Sequence, residues 1–289
     1  MTRVYYELIH RNGVELGAPS ACQALGVSRN GYADWSTRVF EETNSLLLKE
    51  IQGIALMPRY GYRRVTAELR RRNFIVNRKK VLRIMREHRL TIKKKAFKPR
   101  TTNSNHGFKK YSNLVKDLVE TGLNQVWVAD ITYVKISNDF AYLASILDRF
   151  SRKCIGWNLS RSLCVEGALS ALEMALRERK SLGFQHLIHH SDQGVQYACG
   201  EYVALLEKQG IAPSMSEAGN PYENAFAESF NKTIKYEEVY LTEYESFDDA
   251  LKNIGKFIEE VYNKKRLHSS IGYKPPNEFE QQILKEASS

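Results

Sequence analysis

The sequence predicts an α/β chain in which a basic, all-α N-terminal region precedes a mixed-sheet core. Three observations predict it. Basic residues concentrate before residue 120, where 25 Lys and Arg face 10 Asp and Glu, while residues 121–289 hold 18 against 23. The same first part shows apolar residues at helical spacing, punctuated by cap residues and glycines. From residue 125 onward, short apolar strand-like runs alternate with helical patterns.

Residues 4–10 read as a first helix, and 20–26 as a second that ends at Gly26. Ser28 then caps a third. Helix, glycine turn and capped helix make the helix-turn-helix pattern, which places Arg29, Asn30 and Tyr32 near DNA; a three-helix packing unit without DNA contact gives similar text. Residues 44–54 form an amphipathic helix, 58–62 break it, and 63–72 form another that begins with Arg63 and Arg64. Asn77 caps a helix over 78–89 with apolar positions Val81, Leu82, Met85 and Leu90. Its basic face carries Arg78, Lys79, Arg83 and Arg86. Within 59–110 there are 19 basic residues against 2 acidic ones, a nucleic-acid footprint, because Lys and Arg displace counterions condensed on phosphates. Residues 91–110, with Lys93, Lys94 and Lys95, read as an extended basic arm.

The core begins with strands over 125–136, 141–148 and 155–160, whose short connections favour antiparallel neighbours. A helix over 165–180, a strand over 186–190, a helix over 200–209, a strand over 211–215 and helices over 223–236 and 247–264 follow. Three antiparallel strands followed by αβαβα is the ribonuclease H-like order. It puts Asp130 on the first strand, Asp192 just after the fourth and Glu228 on a helix facing both. Carboxylates suit hard divalent cations such as Mg²⁺, and two ions about 3.5–4 Å apart clamp the attacking and leaving oxygens of an in-line phosphoryl displacement. Among 33 acidic residues many triples exist, and most acids are solvated surface charges, so spacing alone does not single these three out.

The flanking residues do. Trp127-Val128-Ala129-Asp130-Ile131-Thr132-Tyr133, Leu147-Asp148-Arg149-Phe150-Ser151-Arg152 and His190-Ser191-Asp192-Gln193-Gly194-Val195-Gln196-Tyr197 come first. Gly219-Asn220-Pro221-Tyr222-Glu223-Asn224-Ala225 with Ala227-Glu228-Ser229-Phe230, and Tyr262-Asn263 with His268-Ser269-Ser270-Ile271-Gly272-Tyr273, follow in order. Residues 121–280 thereby resemble the integrase-type catalytic core of bacterial insertion-sequence transposases, the second-reading-frame group related to retroviral integrases.

The resemblance implies a DNA transposase that joins element 3′ ends to target DNA by transesterification. Asp130, Asp192 and Glu228 would be its catalytic and metal-binding residues, holding two Mg²⁺ ions, with Mn²⁺ able to substitute. Lys232 and Lys235, four and seven positions after Glu228, match lysines that hold the transferred DNA end in retroviral integrases. Asn224, one turn before Glu228, would orient that carboxylate or meet DNA. His190, and His268 with its neighbours, read equally as core residues or as site contacts. The implied partners are double-stranded DNA (terminal repeats and target), further copies of the chain in a synaptic complex, and an upstream-frame protein bearing a helix-turn-helix and a coiled coil as fusion partner. Ser216-Glu217-Ala218 stands where many relatives carry basic residues, and Glu223 where Asp is more usual. A decayed core acting as a DNA-binding repressor and a structure-selective nuclease of the same fold are the alternatives.

No apolar run approaches the roughly 18 residues that a membrane span needs, and the N-terminus lacks a signal-peptide core. Cys22, Cys154, Cys164 and Cys199 show no close pairing, as expected of reduced cysteines in a cytoplasmic, nucleoid-associated protein. The resulting division is a helix-turn-helix-like region at 1–40, a second basic helical domain at 41–95, a basic linker at 96–120, the core at 121–280 and a tail at 281–289.

Overall fold

A computed structural model describes residues 2–12, 17–55, 60–92, 108–137, 139–217 and 224–287. The chain divides into two units, Met1–Lys93 and Lys94–Ser289.

The first unit is all-helical: α1 (Thr2–Asn12), α2 (Ala18–Ala24), α3 (Arg29–Ala55), α4 (Tyr62–Arg71) and α5 (Arg78–Glu87). Ser28 caps α3 by accepting from the Gly31 N–H at 3.2 Å. Tyr6, Tyr32 and Trp35 pack ring against ring beside the buried Cys22 and tie α1 and α2 to the start of α3. The division expected at residue 40 falls inside α3, a single helix of 27 residues and about 40 Å. Its later turns bury Leu47, Ile51 and Ile54, alongside Val65 and Leu69 of α4 and Val81, Ile84 and Met85 of α5. Ile84 takes an inward position where Leu82 was expected, and Leu82 is only half-buried. Asn77 Oδ1 accepts from the Lys79 N–H at 2.8 Å, fixing the start of α5 as its sequence predicted.

The second unit carries a five-stranded mixed sheet in the order β3-β2-β1-β4-β5. Its strands are β1 (Val126–Ile136), β2 (Asp139–Asp148), β3 (Cys154–Ser160), β4 (Ile188–Ser191) and β5 (Ala212–Met215). β1 pairs antiparallel with β2, and β2 with β3; β4 runs parallel to β1, and β5 parallel to β4. The helices are α6 (Val165–Arg179), α7 (Val195–Ala198), α8 (Gly200–Lys208), α9 (Ala225–Ile234), α10 (Phe247–Lys256) and α11 (Pro276–Ala287). Alternation along β1 sorts the two cores. Val126, Val128, Val134 and Ile136 join α9 and α10 on one face, while Trp127 and Ala129 join α6 and α8 on the other. Gly156 lets α6 come close, because a Cβ there would lie 2.2 Å from the Ala171 carbonyl oxygen.

Two expected boundaries move. From Val115 on, the supposed linker packs on the core: Val115 is buried, the Leu114 N–H donates to Ser214 Oγ at 2.9 Å, and Arg149 pairs with Glu120. The supposed tail is helical as far as Ala287. Glu280 of α11 is buried against Arg179, accepts from Ser151 Oγ at 2.6 Å and lies 3.4 Å from Lys153 Nζ. Sequence periodicity missed both, since each segment is held by a few polar contacts rather than by an apolar stripe. Among the described residues no helix is long and apolar enough to cross a membrane.

Candidate active site

Register brings the first two acids together. β1 and β4 pair in parallel as far as Val128 and His190. Asp130 and Asp192 each lie two residues beyond that last pair, on neighbouring chains whose strands stand about 4.8 Å apart. The Gly194 N–H donates to Asp192 Oδ1 at 3.0 Å, closing a tight turn. A Cβ on Gly194 would stand 2.9 Å from the same oxygen, so a larger residue there would displace the Asp192 carboxylate.

The third acid arrives on α9. Asp130 shares its face of β1 with Val128 and Val134, and Ala227 and Phe230 of α9 pack on that face. Glu228 lies between them, half-exposed, with Oε2 3.9 Å from Lys232 Nζ. Asp130 Oδ1 accepts from the Ile131 N–H at 2.9 Å, and Oδ2 from Asn231 Nδ2 at 2.8 Å. Burial and the Asp192 charge push the Asp130 carboxyl up to about 7; the hydrogen bonds from Ile131 and Asn231 pull the other way, and Glu228 adds to the rise. Both other acids thus act on Asp130.

Among the described residues no group of three His, Cys, Asp or Glu already stands close enough to hold an ion. The donor set nevertheless fits a hard cation. Every candidate ligand is an oxygen. A cation beside Asp130 would relieve the repulsion that raises its pKa. Two buried amide oxygens near the carboxylates, Asn224 Oδ1 and Asn231 Oδ1, have no hydrogen-bond partner among the described residues.

The lysines expected to touch DNA differ. Lys232 is exposed and paired with Glu228. Lys235 is half-buried, its Nζ 4.1 Å from the Tyr133 ring centroid; burial lowers its pKa and Asp130 opposes that. Asn224, expected to orient Glu228 or to meet DNA, is 6 % exposed, and its Nδ2 donates to the Ala129 carbonyl at 3.1 Å. Beyond Val128 the β1 backbone has no parallel neighbour, and Asn224 serves it instead. Asn231 escaped the sequence reading. Its signal was a polar residue in the apolar stripe Ala227, Phe230 and Ile234.

The histidines are core residues. His190 Nδ1 lies 2.9 Å from Ser214 Oγ, and His189 Nε2 lies 2.9 Å from the Tyr202 hydroxyl. In the motif from Tyr262 to Tyr273, Tyr262, Asn263, Arg266, Leu267, His268 and Ile271 are buried, whereas Ser269 and Ser270 are exposed. Asn263 hydrogen-bonds both the N–H and the carbonyl of Cys154, and the buried Arg266 grips Glu237 through two contacts of 2.8 Å. Asp148, in the second motif, is fully buried and accepts from the Asn124, Phe150 and Ser151 N–H groups, fixing the turn after β2.

In the first unit Arg29, Asn30, Arg63, Arg78, Lys79, Arg83 and Arg86 are exposed, and Arg64 is half-buried beside Tyr60. Lys93, Lys94 and Lys95 lie outside the described residues.

Comparison with known proteins places the chain in a family. Residues 120–221 and 209–276 match models described as integrase core domains, and residues 42–97 match one described as an HTH-like domain. The chain is 38 % identical over 265 residues to the Insertion element IS600 uncharacterized 31 kDa protein of Shigella sonnei, covering 89 % of this chain and 96 % of that one. It is 32 % identical over 288 residues to the Transposase InsF for insertion sequence IS3A of Escherichia coli (strain K12), covering 96 % and 99 %. The chain belongs to the integrase-core transposases of insertion sequences. Among solved structures, the HTLV-2 integrase catalytic core domain in complex with magnesium (trimeric form) aligns with a TM-score of 0.42 and 17 % identity, covering 54 % of this transposase-family chain and 96 % of that one. In this family member, the HTH-like match covers α4, α5 and the later part of α3, and the integrase match spans all five strands.

Proposed function

We propose that this chain catalyses metal-dependent cleavage of insertion-sequence ends and their strand transfer into target DNA. One observation supports the reading: Asp130 and Asp192 each follow the last β1–β4 pair by two residues, and the Asp192 and Glu228 charges both raise the Asp130 carboxyl. Asp130, Asp192 and Glu228 are its catalytic residues and the ligands of two Mg²⁺ ions, for which Mn²⁺ substitutes. Such ions supply charge neutralisation for the attacking and leaving oxygens of phosphoryl transfer and lower the pKa of the nucleophile.

The chain supplies position. Asp130 offers two oxygens from a central strand, each held by one hydrogen bond, so its plane is set before substrate arrives. The tight turn at Gly194 holds Asp192 Oδ1, while Glu228 is more exposed and pairs with the exposed Lys232. Lys232 and Lys235 flank the carboxylates from the same helical run and supply cations to DNA phosphates. Phosphoryl transfer asks for little protein acid–base chemistry beyond such placement. Arg29, Asn30, Arg63, Arg64, Arg78, Lys79, Arg83, Arg86 and Lys93 to Lys95 form the terminal-repeat footprint. Holding two ends calls for self-association on DNA, and an upstream-frame helix-turn-helix and coiled-coil protein is the expected fusion partner, in the cytoplasm.

The test incubates the full chain with labelled DNA from the flanks of its own gene, a supercoiled plasmid and Mg²⁺ or Mn²⁺, beside Glu228→Gln. Joined products that need metal and vanish in the variant support the proposal. Free cut ends point to a nuclease, and binding without cutting, with or without the fusion partner, to a repressor.

A further inference from the structure

Two asparagines bracket Glu228. Asn224 stands four positions before it, at the start of α9, and Asn231 three positions after it. Both are buried, and each sends its Nδ2 across to β1: Asn224 to the Ala129 carbonyl at 3.1 Å, Asn231 to Asp130 Oδ2 at 2.8 Å. The two bonds meet adjacent residues of one strand from positions about two helical turns apart. They fix both the height and the rotation of α9 over β1, which apolar packing of Ala227 and Phe230 alone leaves adjustable. An amide suits the task at 231. It donates to Asp130 without adding another negative charge beside a carboxyl that Asp192 and Glu228 already raise.

We infer that Asn224 and Asn231 are positioning residues, an amide brace that sets Glu228 against Asp130, and that Asn224 is not a DNA contact. The inference rests on the proposed transposase reading for its meaning. Its geometry does not depend on that reading. Outer residues that orient metal ligands typically carry a measurable share of metal affinity. Loss of either brace member therefore weakens metal use and leaves the DNA grip of the protein in place.

The experiment uses full-length protein carrying Asn224→Ala or Asn231→Leu. Three quantities are measured: the Mn²⁺ concentration for half-maximal end joining, metal-free binding to end DNA, and the melting temperature. Each variant is expected to need about tenfold more Mn²⁺. Metal-free binding is expected to stay within about twofold of the parent, because no phosphate or base contact is removed. Asn231→Leu is also made in an Asp130→Ala background. The brace predicts a larger fall in melting temperature with Asp130 present than without it, since the lost partner is Asp130 itself. Equal falls in both backgrounds would mean that Asn231 only fills space, and they overturn the inference. So does an unchanged Mn²⁺ requirement, or a large loss of metal-free binding in Asn224→Ala. Absence of joining by the parent protein would sink the transposase reading alone, because the melting comparison still decides the brace.

Discussion

The two units handle charge in opposite ways. In the first, Arg78, Lys79, Arg83 and Arg86 stand exposed on one short helix, with Arg83 facing Glu87 only at 3.8 Å. In the second, charge is drawn inward: Arg266 with Glu237, Arg179 with Glu280 and Asp148, and Asp130 among its fellow acids are buried or half-buried. Exposed cations act at a distance, additively and under the control of salt. Buried groups act through fixed partners, and removing one partner strands the other. The first arrangement suits gripping a polyanion of any register, the second suits holding a few oxygens in place.

The sharpest way to break this contrast is at the acids. Asp130→Asn, Asp192→Asn and Glu228→Gln are each expected to lower strand transfer by about 10³-fold or more, as loss of a metal ligand removes transition-state charge stabilisation. A gel assay of joined product reads this, and normal metal-free DNA binding by the same variants shows that the two units fail separately.

Next comes the buried pair. Glu237→Ala leaves the Arg266 guanidinium with less compensation and is expected to cost about 3–5 kcal/mol of stability. The exchange Glu237→Arg with Arg266→Glu recovers part of it if the pair acts locally. Denaturant titration of the parent, each single exchange and the double exchange measures the coupling.

Acid sensitivity sharpens the same point. Burial, reinforced by His190, holds His189 well below its usual value, at about 3. A base with a depressed folded pKa is neutral in both states above the unfolded value. Below about 6.5 the unfolded chain binds a proton that the folded one refuses, so stability falls as pH drops from there toward 3, by up to about 4 kcal/mol. His189→Gln is expected to flatten the stability curve over that window relative to the parent, and unfolding free energies at a series of pH values test it.

The smallest effects belong to the exposed helix. Arg83→Ala or Arg86→Ala should weaken end binding only a few-fold and reduce the slope of log affinity against log salt by about 1 each. A variant that abolishes binding at every salt concentration would mark its arginine as a fixed, buried-type contact and blur the contrast.

Much of this was legible beforehand. Ser28 and Asn77 cap where their sequence placed them, because a cap is a local event between a side chain and a nearby N–H. The strand and helix order of the core was readable because apolar periodicity reports which face is inward. That order places Asp130 on β1, Asp192 just after β4 and Glu228 on α9. Harder to read were contacts between distant positions. Nothing near Asn231 in the sequence signals Asp130, 101 positions away, and nothing near Arg266 signals Glu237, 29 positions away.

By itself, the sequence determined the split between a basic helical region and an acidic mixed-sheet core and the order of elements. These depend on composition, period and caps, all read within a few residues. Only the tertiary structure decided which polar groups turn inward: Asn224 to the Ala129 carbonyl, Asn231 to Asp130, Arg266 to Glu237, and Glu280 to Arg179. The physical reason is that a polar side chain carries no local signal of its partner. Its burial is tolerated only when a hydrogen bond from a remote part of the chain compensates it, and that bond exists only after the chain has folded.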